Sequence, residues 1–236
     1  MCGRFSQTSS ATALMEHFQL LKEILPLLKP RYNVAPTQNV AVVRLDPGRG
    51  RTLSFMRWGL IPSWSKDAGI GAKMINARAE SVAEKPSFRS AFKKRRCLIP
   101  GDGFYEWKKT AKKKQPFYIH MKDSKPFAFA GLWERWHPPD GKEVETFTII
   151  TTEPNDLMRT IHDRMPVILN PKDFEAWLDP GIEDAQRLAH LLRPFPPENM
   201  EARPVSARVN SPKNDDAQCL DPAPATESEG WLLDFF

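Results

Sequence analysis

The chain has 236 residues, of which 41% are hydrophobic and 27% charged, a composition typical of one large globular domain or two small ones. No apolar run approaches the roughly 18–20 residues of a membrane-spanning helix, and the first ten residues lack the apolar core of a signal peptide, so we expect a cytoplasmic protein that does not contact membranes. The three cysteines, Cys2, Cys97 and Cys219, are odd in number and far apart, which excludes a disulfide framework and a structural zinc cluster.

The net charge of +5 is distributed unevenly along the chain. Residues 211–236 carry six acids and one base, so they contribute −5 and the preceding 210 residues contribute +10. Ten of the bases lie between Arg89 and Lys114, where there are only two acids. A basic surface of this density favours a polyanion such as a nucleic acid, although a solvated lysine-rich hairpin tip has the same composition.

Helices are predicted mainly near the two ends of the chain, with short strands between them. Apolar spacing predicts a helix over 12–21 behind a Ser9 or Ser10 cap, and two prolines predict an ordered loop over 29–37. Alternating, β-branched or aromatic runs predict strands at 39–45, 52–58, 97–99, 104–108, 117–121, 127–133 and 146–151. Further helices are expected to begin within 74–83 and to span 155–161, 172–178 and 183–192.

This order of elements predicts an α+β fold, a single domain built on an antiparallel, barrel-like sheet with peripheral helices. We expect the catalytic and binding domain to occupy residues 1–210. Residues 211–236 are acidic and polar and contain proline, so we expect a flexible C-terminal tail there.

Cys2 follows the initial methionine directly, and a small second residue normally leads to removal of that methionine. The mature chain would then begin with a cysteine, which carries an α-amine of pKa ~7.7–8.0 and a thiol of pKa ~8.5 on adjacent carbons. Both groups are usable nucleophiles near neutral pH. An ordinary buried cysteine is the alternative, although chain termini usually fray unless something holds them.

Four further features suit a reaction site. Glu106 lies in the aromatic run FYEW, where desolvation would raise its pKa toward that of a general acid, but on spacing alone strand alternation favours the alternative, a side chain that points to solvent. Of the five histidines, we expect His162 to be the catalytic one, because the charged residues Asp163 and Arg164 follow it directly. Arg78 could bind phosphate or could pair with Glu80 or Glu84. Trp58 and Trp64 could stack on bases or fill the core.

The sequence contains no HExxH, P-loop or GxGxxG motif, so metalloprotease, nucleotide-hydrolase and dinucleotide-binding functions lack support. We expect no metal and no cofactor.

Six motifs in this order, MCGRFS, RYNVAPT, WGLIPSW, NARAES, GFYEW and IHDRMPVIL, resemble the SRAP (SOS-response-associated peptidase) family of abasic-site processing proteins. The resemblance extends from Cys2 to about Val205. It implies a covalent DNA-damage activity on single-stranded DNA, in which Cys2, freed of Met1, attacks the aldehyde of an abasic site and closes a thiazolidine ring. The geometry of cysteine suits this product, because N, Cα, Cβ and Sγ supply four of the five ring atoms.

The resemblance also implies roles for individual residues. Glu106 would shuttle protons during Schiff-base formation, His162 would assist opening of the sugar ring, and Asn76 would position the Cys2 terminus or the sugar. The residues implied for DNA binding are Arg78 and Arg4 at phosphates, and Asn33, Pro36, Trp58, Trp64 and Trp107 along the DNA channel. Self-cleaving peptidase activity and a lyase side reaction through the Schiff base are implied as well.

Two alternative functions differ in class from this one. The first is an N-terminal-cysteine peptidase or amidotransferase acting independently of DNA, although the Arg-His-Arg-Gly signature of amidotransferases that begin Met-Cys-Gly is absent. The second is a module that binds nucleic acid without covalent chemistry. We expect a monomer. The last eight residues resemble sliding-clamp-binding peptides, with Leu232, Phe235 and Phe236 as hydrophobic plugs, or they form a turn that docks on their own domain.

Overall fold

The computed structural model describes residues 2–20, 28–110, 114–138 and 141–224. The strands are β1 (Phe5–Gln7), β2 (Arg31–Val34), β3 (Asn39–Asp46), β4 (Gly50–Trp58), β5 (Asn76–Arg78), β6 (Arg96–Gly101), β7 (Gly103–Lys109), β8 (Lys114–Met121), β9 (Phe127–Trp136), β10 (Val144–Thr152), β11 (Met165–Pro166), β12 (Ile168–Leu169) and β13 (Met200–Pro204).

The α-helices are short, and several of them continue into or from 3-10 turns. They are α1 (Ala11–Phe18), α2 (Arg89–Lys94), α3 (Asp156–Arg159), α4 (Phe174–Leu178) and α5 (Ala185–Leu188). The 3-10 turns are Ala68–Lys73, Pro171–Asp173, Ala189–Leu191, Pro197–Asn199, Ala207–Asn210 and Ala217–Leu220. Within the described ranges, none of these helices has the length and apolar character needed to cross a membrane.

Five strands close a barrel in the order β10, β4, β3, β6, β9 and back to β10. The expected α+β fold on a barrel-like sheet is therefore confirmed. The sheet is not wholly antiparallel, however, since β10 runs parallel to both β4 and β5. Closing the ring brings β10 beside β4, which is distant in sequence, and the two strands then point the same way.

A second, five-stranded antiparallel sheet has the order β13, β8, β7, β1, β2. Strand β1 is interior in this sheet, with β7 on one side and β2 on the other. The Gln7 side chain joins β1 to the barrel, because its Nε2 donates to the carbonyl oxygens of Ala41 and Pro100 at 2.9 Å. The carboxylate of Asp102 accepts from the backbone N–H groups of Thr8 and Ser9. The N-terminal strand is thus fixed on every side.

Two predicted elements are wrong, and both errors arise from pairing between distant segments. Residues 31–34, predicted as loop, form β2 because they pair with β1. The helix expected to begin within 74–83 is instead strand β5 followed by turns. Backbone hydrogen bonds to β10 on both sides of β5, from Ile149 N to Ile75 O and from Ala79 N to Thr151 O, hold these residues extended. Ser10 caps α1 as expected, but the helix ends at Phe18, where Gln19 adopts a left-handed φ of 53°.

Residues 206–224, here called the C-terminal strap, lie against β2 rather than extending away from the body. Asp215 accepts from the backbone N–H groups of Tyr32 at 2.6 Å and Asn33 at 2.8 Å, and it pairs with Arg31. Asn33 in turn donates to the carbonyls of Val209, Ser211 and Asn214 at 3.1, 3.0 and 2.7 Å. Contacts with the body therefore continue past the expected boundary at residue 210.

Replacing Asp215 should release the strap. We expect Asp215→Ala to lower the free energy of unfolding by about 1–3 kcal/mol, because two backbone donors and one guanidinium lose their acceptor. The matched control is Asp221→Ala, which removes the same charge from the same segment where the exposed carboxylate accepts no hydrogen bond from the described residues. Urea unfolding of both variants measures the difference, and equal midpoints would contradict it.

Candidate functional site

Cys2 lies just before β1 with no exposed surface, packed in the apolar core that fills the barrel. Burial raises the pKa of its thiol, and the nearby Glu106 carboxylate raises it further. The Sγ atom is 4.0 Å from the carbonyl oxygen of Arg4. The thiol is therefore neutral at physiological pH, and a proton acceptor is needed before it can act as a nucleophile.

Glu106 is 2% exposed on β7, so the prediction of a desolvated carboxyl is confirmed and the solvent-facing alternative is wrong. Alternation does not expose Glu106 because both faces of β7 are covered, and neighbouring Tyr105 is fully buried on the opposite face against Val205 and Val209. Burial raises the pKa of Glu106, and the imidazole of His162 opposes that rise. Its Oε2 lies 3.9 Å from Nε2 of His162.

His162 follows α3, and its Nδ1 faces both a donor and an acceptor. The backbone N–H of Arg164 donates to Nδ1 at 3.1 Å, and Oδ1 of Asp163 lies 2.9 Å from the same atom. In the neutral ring that accepts from Arg164, the proton sits on Nε2. In the charged ring Nδ1 also carries a proton, directed at Asp163. A ring that accepts from Arg164 at Nδ1, or that is charged, carries a proton at Nε2 on the side of Glu106, whereas a neutral ring that donates from Nδ1 to Asp163 does not.

Asn76 and Arg78 are placed by the pairing of β5 with β10. Both polar atoms of the Asn76 side-chain amide are buried without a hydrogen-bond partner among the described residues. Such a group costs free energy in the unliganded protein, which is typical of a position that a ligand completes. The Arg78 side chain is exposed. Its suggested partner Glu80 binds Arg164 instead, through two hydrogen bonds of 2.6 and 2.9 Å.

The Glu106–His162 pair opens onto a cavity of about 550 Å³. Its other lining residues are Trp107, Lys109, Lys114 and Asn210. Only Trp107 among these four is a predicted site residue. The two lysines belong to the basic run between Arg89 and Lys114, whose charge predicted a surface that binds a polyanion. Asn210 comes from the C-terminal strap and reaches the cavity only through the tertiary fold, so no local pattern marks it.

Other predicted DNA-channel residues have different surroundings. Trp58 has no exposed surface, its Nε1 donates to Ile75 O at 2.9 Å, and it stacks on Phe147, so it fills the core and cannot meet a base. Trp64 is 62% exposed. Pro36 is half-buried in the turn after β2.

Arg4 and Asn33, both predicted to face DNA, bind each other and the strap. Nη1 of Arg4 donates to Asn33 Oδ1 and to Val209 O, each at 2.8 Å. The Asn33 side chain is fully buried and its amide holds the strap carbonyls. These contacts direct both side chains towards the C-terminal strap rather than towards solvent.

The basic run between Arg89 and Lys114 divides into groups with different surroundings. Arg96 is buried and donates to carbonyls at 2.5 Å from Phe92 and 2.7 Å from Lys93, and Arg95 pairs with Glu134 at 2.8 Å. Among the members of the run that the structure describes, Lys109 and Lys114 line the cavity. Part of the positive charge is thus structural, and part lines the candidate site.

No group of three or more histidine, cysteine, aspartate or glutamate side chains in the described ranges could hold a metal ion. The expected clamp-binding residues Leu232, Phe235 and Phe236 lie outside the described residues.

The chain is similar to proteins of one family along nearly its whole length. The model of the SOS response associated peptidase (SRAP) family matches residues 1–212. The abasic site processing protein YoqW of Bacillus subtilis (strain 168) is 49% identical over 224 residues, which cover 94% of this chain and 99% of the relative. The abasic site processing protein HMCES of Xenopus tropicalis is 34% identical over 238 residues, covering 87% and 70%. A crystal structure of a protein from Bacteroides thetaiotaomicron superimposes with a TM-score of 0.84 at 32% identity, covering 94% of this chain and 100% of that one.

Proposed function

Because this chain belongs to the SRAP family, whose members among its relatives are named abasic site processing proteins, we propose that it processes abasic sites by cross-linking to them through Cys2 in single-stranded DNA. The observation that carries this function is the pairing of buried Glu106 with half-buried His162 at a cavity lined by two lysines, with Glu106 close enough to the Cys2 thiol to raise its pKa. An α-amine, a thiol, a carboxyl of raised pKa and an imidazole are the groups that such a condensation and ring closure use.

The reaction balances without an oxidant or a second substrate. Met1 must be removed so that the α-amine of Cys2 is free. The amine adds to the aldehyde carbon of the ring-opened abasic sugar, and loss of one water gives the Schiff base. The thiol then adds to the carbon of the protonated Schiff base, its proton returns to the carboxylate that protonated the departing hydroxyl, and a C–S bond closes the five-membered thiazolidine, whose nitrogen keeps its own proton.

Each step has a residue suited to it. The protonated Glu106 carboxyl, favoured by burial, donates to the departing hydroxyl and afterwards accepts the thiol proton. The proton on Nε2 of His162 assists opening of the sugar ring. The unpartnered amide of Asn76 binds the amine or the sugar, and the exposed Arg78 binds a flanking phosphate.

Side reactions follow from the same groups. A Schiff base at C1′ acidifies the neighbouring C2′–H, so β-elimination of the 3′ phosphate, a lyase reaction, competes with ring closure by the thiol. The peptidase activity in the family's description corresponds here to hydrolysis of the Met1–Cys2 bond. The lyase reaction shares the Schiff base with the cross-link, whereas hydrolysis of the Met1–Cys2 bond precedes both because it frees the amine.

Intact-mass measurement tests the function directly. Protein with Met1 removed, incubated with an oligonucleotide containing one abasic site, should give a species whose mass equals protein plus DNA less one water, and this species should survive a denaturing gel. The matched control is the same oligonucleotide with tetrahydrofuran, which has no aldehyde, at the abasic position. Absence of the adduct in processed protein contradicts the function. Turnover of glutamine or a peptide without DNA would instead favour the DNA-independent alternative.

A further inference from the structure

The cavity extends well beyond the Glu106–His162 pair. Its outer wall consists of Trp107, Lys109, Lys114 and Asn210, and the reaction above gives no role to the two lysines or to Asn210. Trp107 and Lys109 are two positions apart on β7, so they lie on the same face of the strand. Lys114 is the cross-strand partner of Lys109 on β8. Three side chains of the outer wall are therefore presented by one face of one hairpin.

The Trp107 indole is held in a fixed orientation. Its Nε1 donates to Oδ1 of Asn210 at 2.7 Å, and the guanidinium of Arg4 lies 5.9 Å from the ring centroid. Arg4 also donates hydrogen bonds to Asn33 and to the strap, and these bonds hold its guanidinium beside the indole ring. An oriented, half-buried indole beside a cavity is the kind of surface on which nucleic-acid bases stack.

The two lysines form an arrangement that an anion would stabilise. Like charges directly opposite each other on neighbouring strands destabilise a sheet. Lys109 and Lys114 occupy such positions, both are exposed, and neither forms an ion pair with any described residue. The fold gains nothing from this pair, whereas one phosphate group placed between the two ammonium groups would remove the repulsion.

Building on the proposed function, on which this inference rests, we propose that the outer wall is a subsite for the nucleotide next to the abasic residue. The neighbouring base stacks on Trp107, and its phosphate binds Lys109 and Lys114. Asn210 is a positioning residue, since it acts on the base only through its hydrogen bond to the indole. The subsite recognises a nucleotide by its aromatic face and its charge, so it tolerates any base.

The base contact is tested by pairing protein variants with two oligonucleotides. One has adenine on both sides of the abasic residue, and the other has tetrahydrofuran residues there, which keep the phosphates and lack bases. We expect the native protein to cross-link the first at least about fivefold faster under subsaturating conditions. Asn210→Ala should bring this ratio close to one. Asn210→Asp, which keeps an acceptor oxygen for the indole, should restore it. Asn214→Ala, a strap variant without a side-chain contact to Trp107, should keep the native ratio.

The phosphate contact is tested with an oligonucleotide whose linkages beside the abasic residue are uncharged methylphosphonates. The native protein should cross-link it several-fold more slowly than normal DNA. The double variant Lys109→Gln/Lys114→Gln should already be slow on normal DNA and lose little more on the uncharged linkage. Lys93→Gln, at an exposed position on α2, should retain the native discrimination.

The outcomes separate this subsite from the function on which it rests. If native protein cross-links neither oligonucleotide, the proposed function fails. If it cross-links both at the same rate, the function stands and the base contact is wrong. If Asn210→Ala slows both oligonucleotides equally, or leaves the ratio unchanged, Asn210 does not position the indole for stacking. If the lysine variant still discriminates against uncharged linkages as the native protein does, the phosphate binds elsewhere.

Discussion

Cys2→Ala should abolish the product that survives denaturation, because the alanine side chain has no sulfur to close the ring. The variant keeps a small second residue, so Met1 should still be removed and the α-amine should still form a Schiff base. That intermediate hydrolyses on denaturation and becomes visible only when borohydride reduces it. We therefore expect no stable adduct without reductant and a trapped adduct with it, measured on the same denaturing gel. Native protein should give the stable adduct under both conditions.

The other two cysteines supply the matched controls for this result. Cys97 and Cys219 are also buried free thiols whose pKa is raised by burial, but they lie away from the chain terminus. Cys97→Ala and Cys219→Ala should retain the stable adduct. Cys2→Ser should give at most a weaker oxygen-containing ring. A heat-stable adduct of Cys2→Ala formed without reductant would show that sulfur is not required.

Glu106→Gln should slow cross-linking by about 10²–10⁴-fold, the usual contribution of a positioned general acid or base. Glutamine keeps the size of the side chain and its contact with the core, but it neither donates a proton to the departing hydroxyl nor accepts one from the thiol. Single-turnover rates on abasic DNA measure the loss. Gln115→Glu is not a suitable control, because the Gln115 side chain is buried and its amide donates a hydrogen bond to the carbonyl oxygen of Val205. Glu201→Gln, exposed on β13, is suitable.

The same substitution should stabilise the fold, in a manner that depends on pH. Burial raises the pKa of Glu106 above its unfolded value of about 4.3, so the folded state binds more protons. The stability associated with the protonated carboxyl is then fully present below the unfolded pKa and is lost as the pH rises through the folded pKa. Glu106→Gln is neutral throughout. Its Tm advantage over native protein should be near zero at pH 4 and grow toward pH 8, and an advantage independent of pH would contradict this.

The local sequence was enough to identify residues that suit the chemistry, but it was not enough to predict what surrounds each of them in the fold. Position 2 and the aromatic neighbours of residue 106 marked Cys2 and Glu106, but the choice between a buried and an exposed Glu106 depended on whether distant segments cover both faces of β7. Asn33 was predicted to face DNA, whereas its amide binds strap carbonyls 176 to 181 residues away. Trp58 was indistinguishable from Trp64 in sequence, yet barrel closure buries only the first. Asn210 carried no signal, since its partner Trp107 is 103 residues distant.

The interior position of β1 has a mechanical consequence for a protein tethered through its first residue. A motor advancing along cross-linked DNA would pull at Cys2, and that load would pass directly into a strand paired on both sides and tied to the barrel through Gln7. Extracting it would require breaking contacts to β2, β7 and the barrel together. Resistance to forced unfolding is governed by the rate of crossing such a barrier. The same placement that orients the nucleophile would make the tethered protein a durable obstacle, removed more readily by proteolysis than by traction.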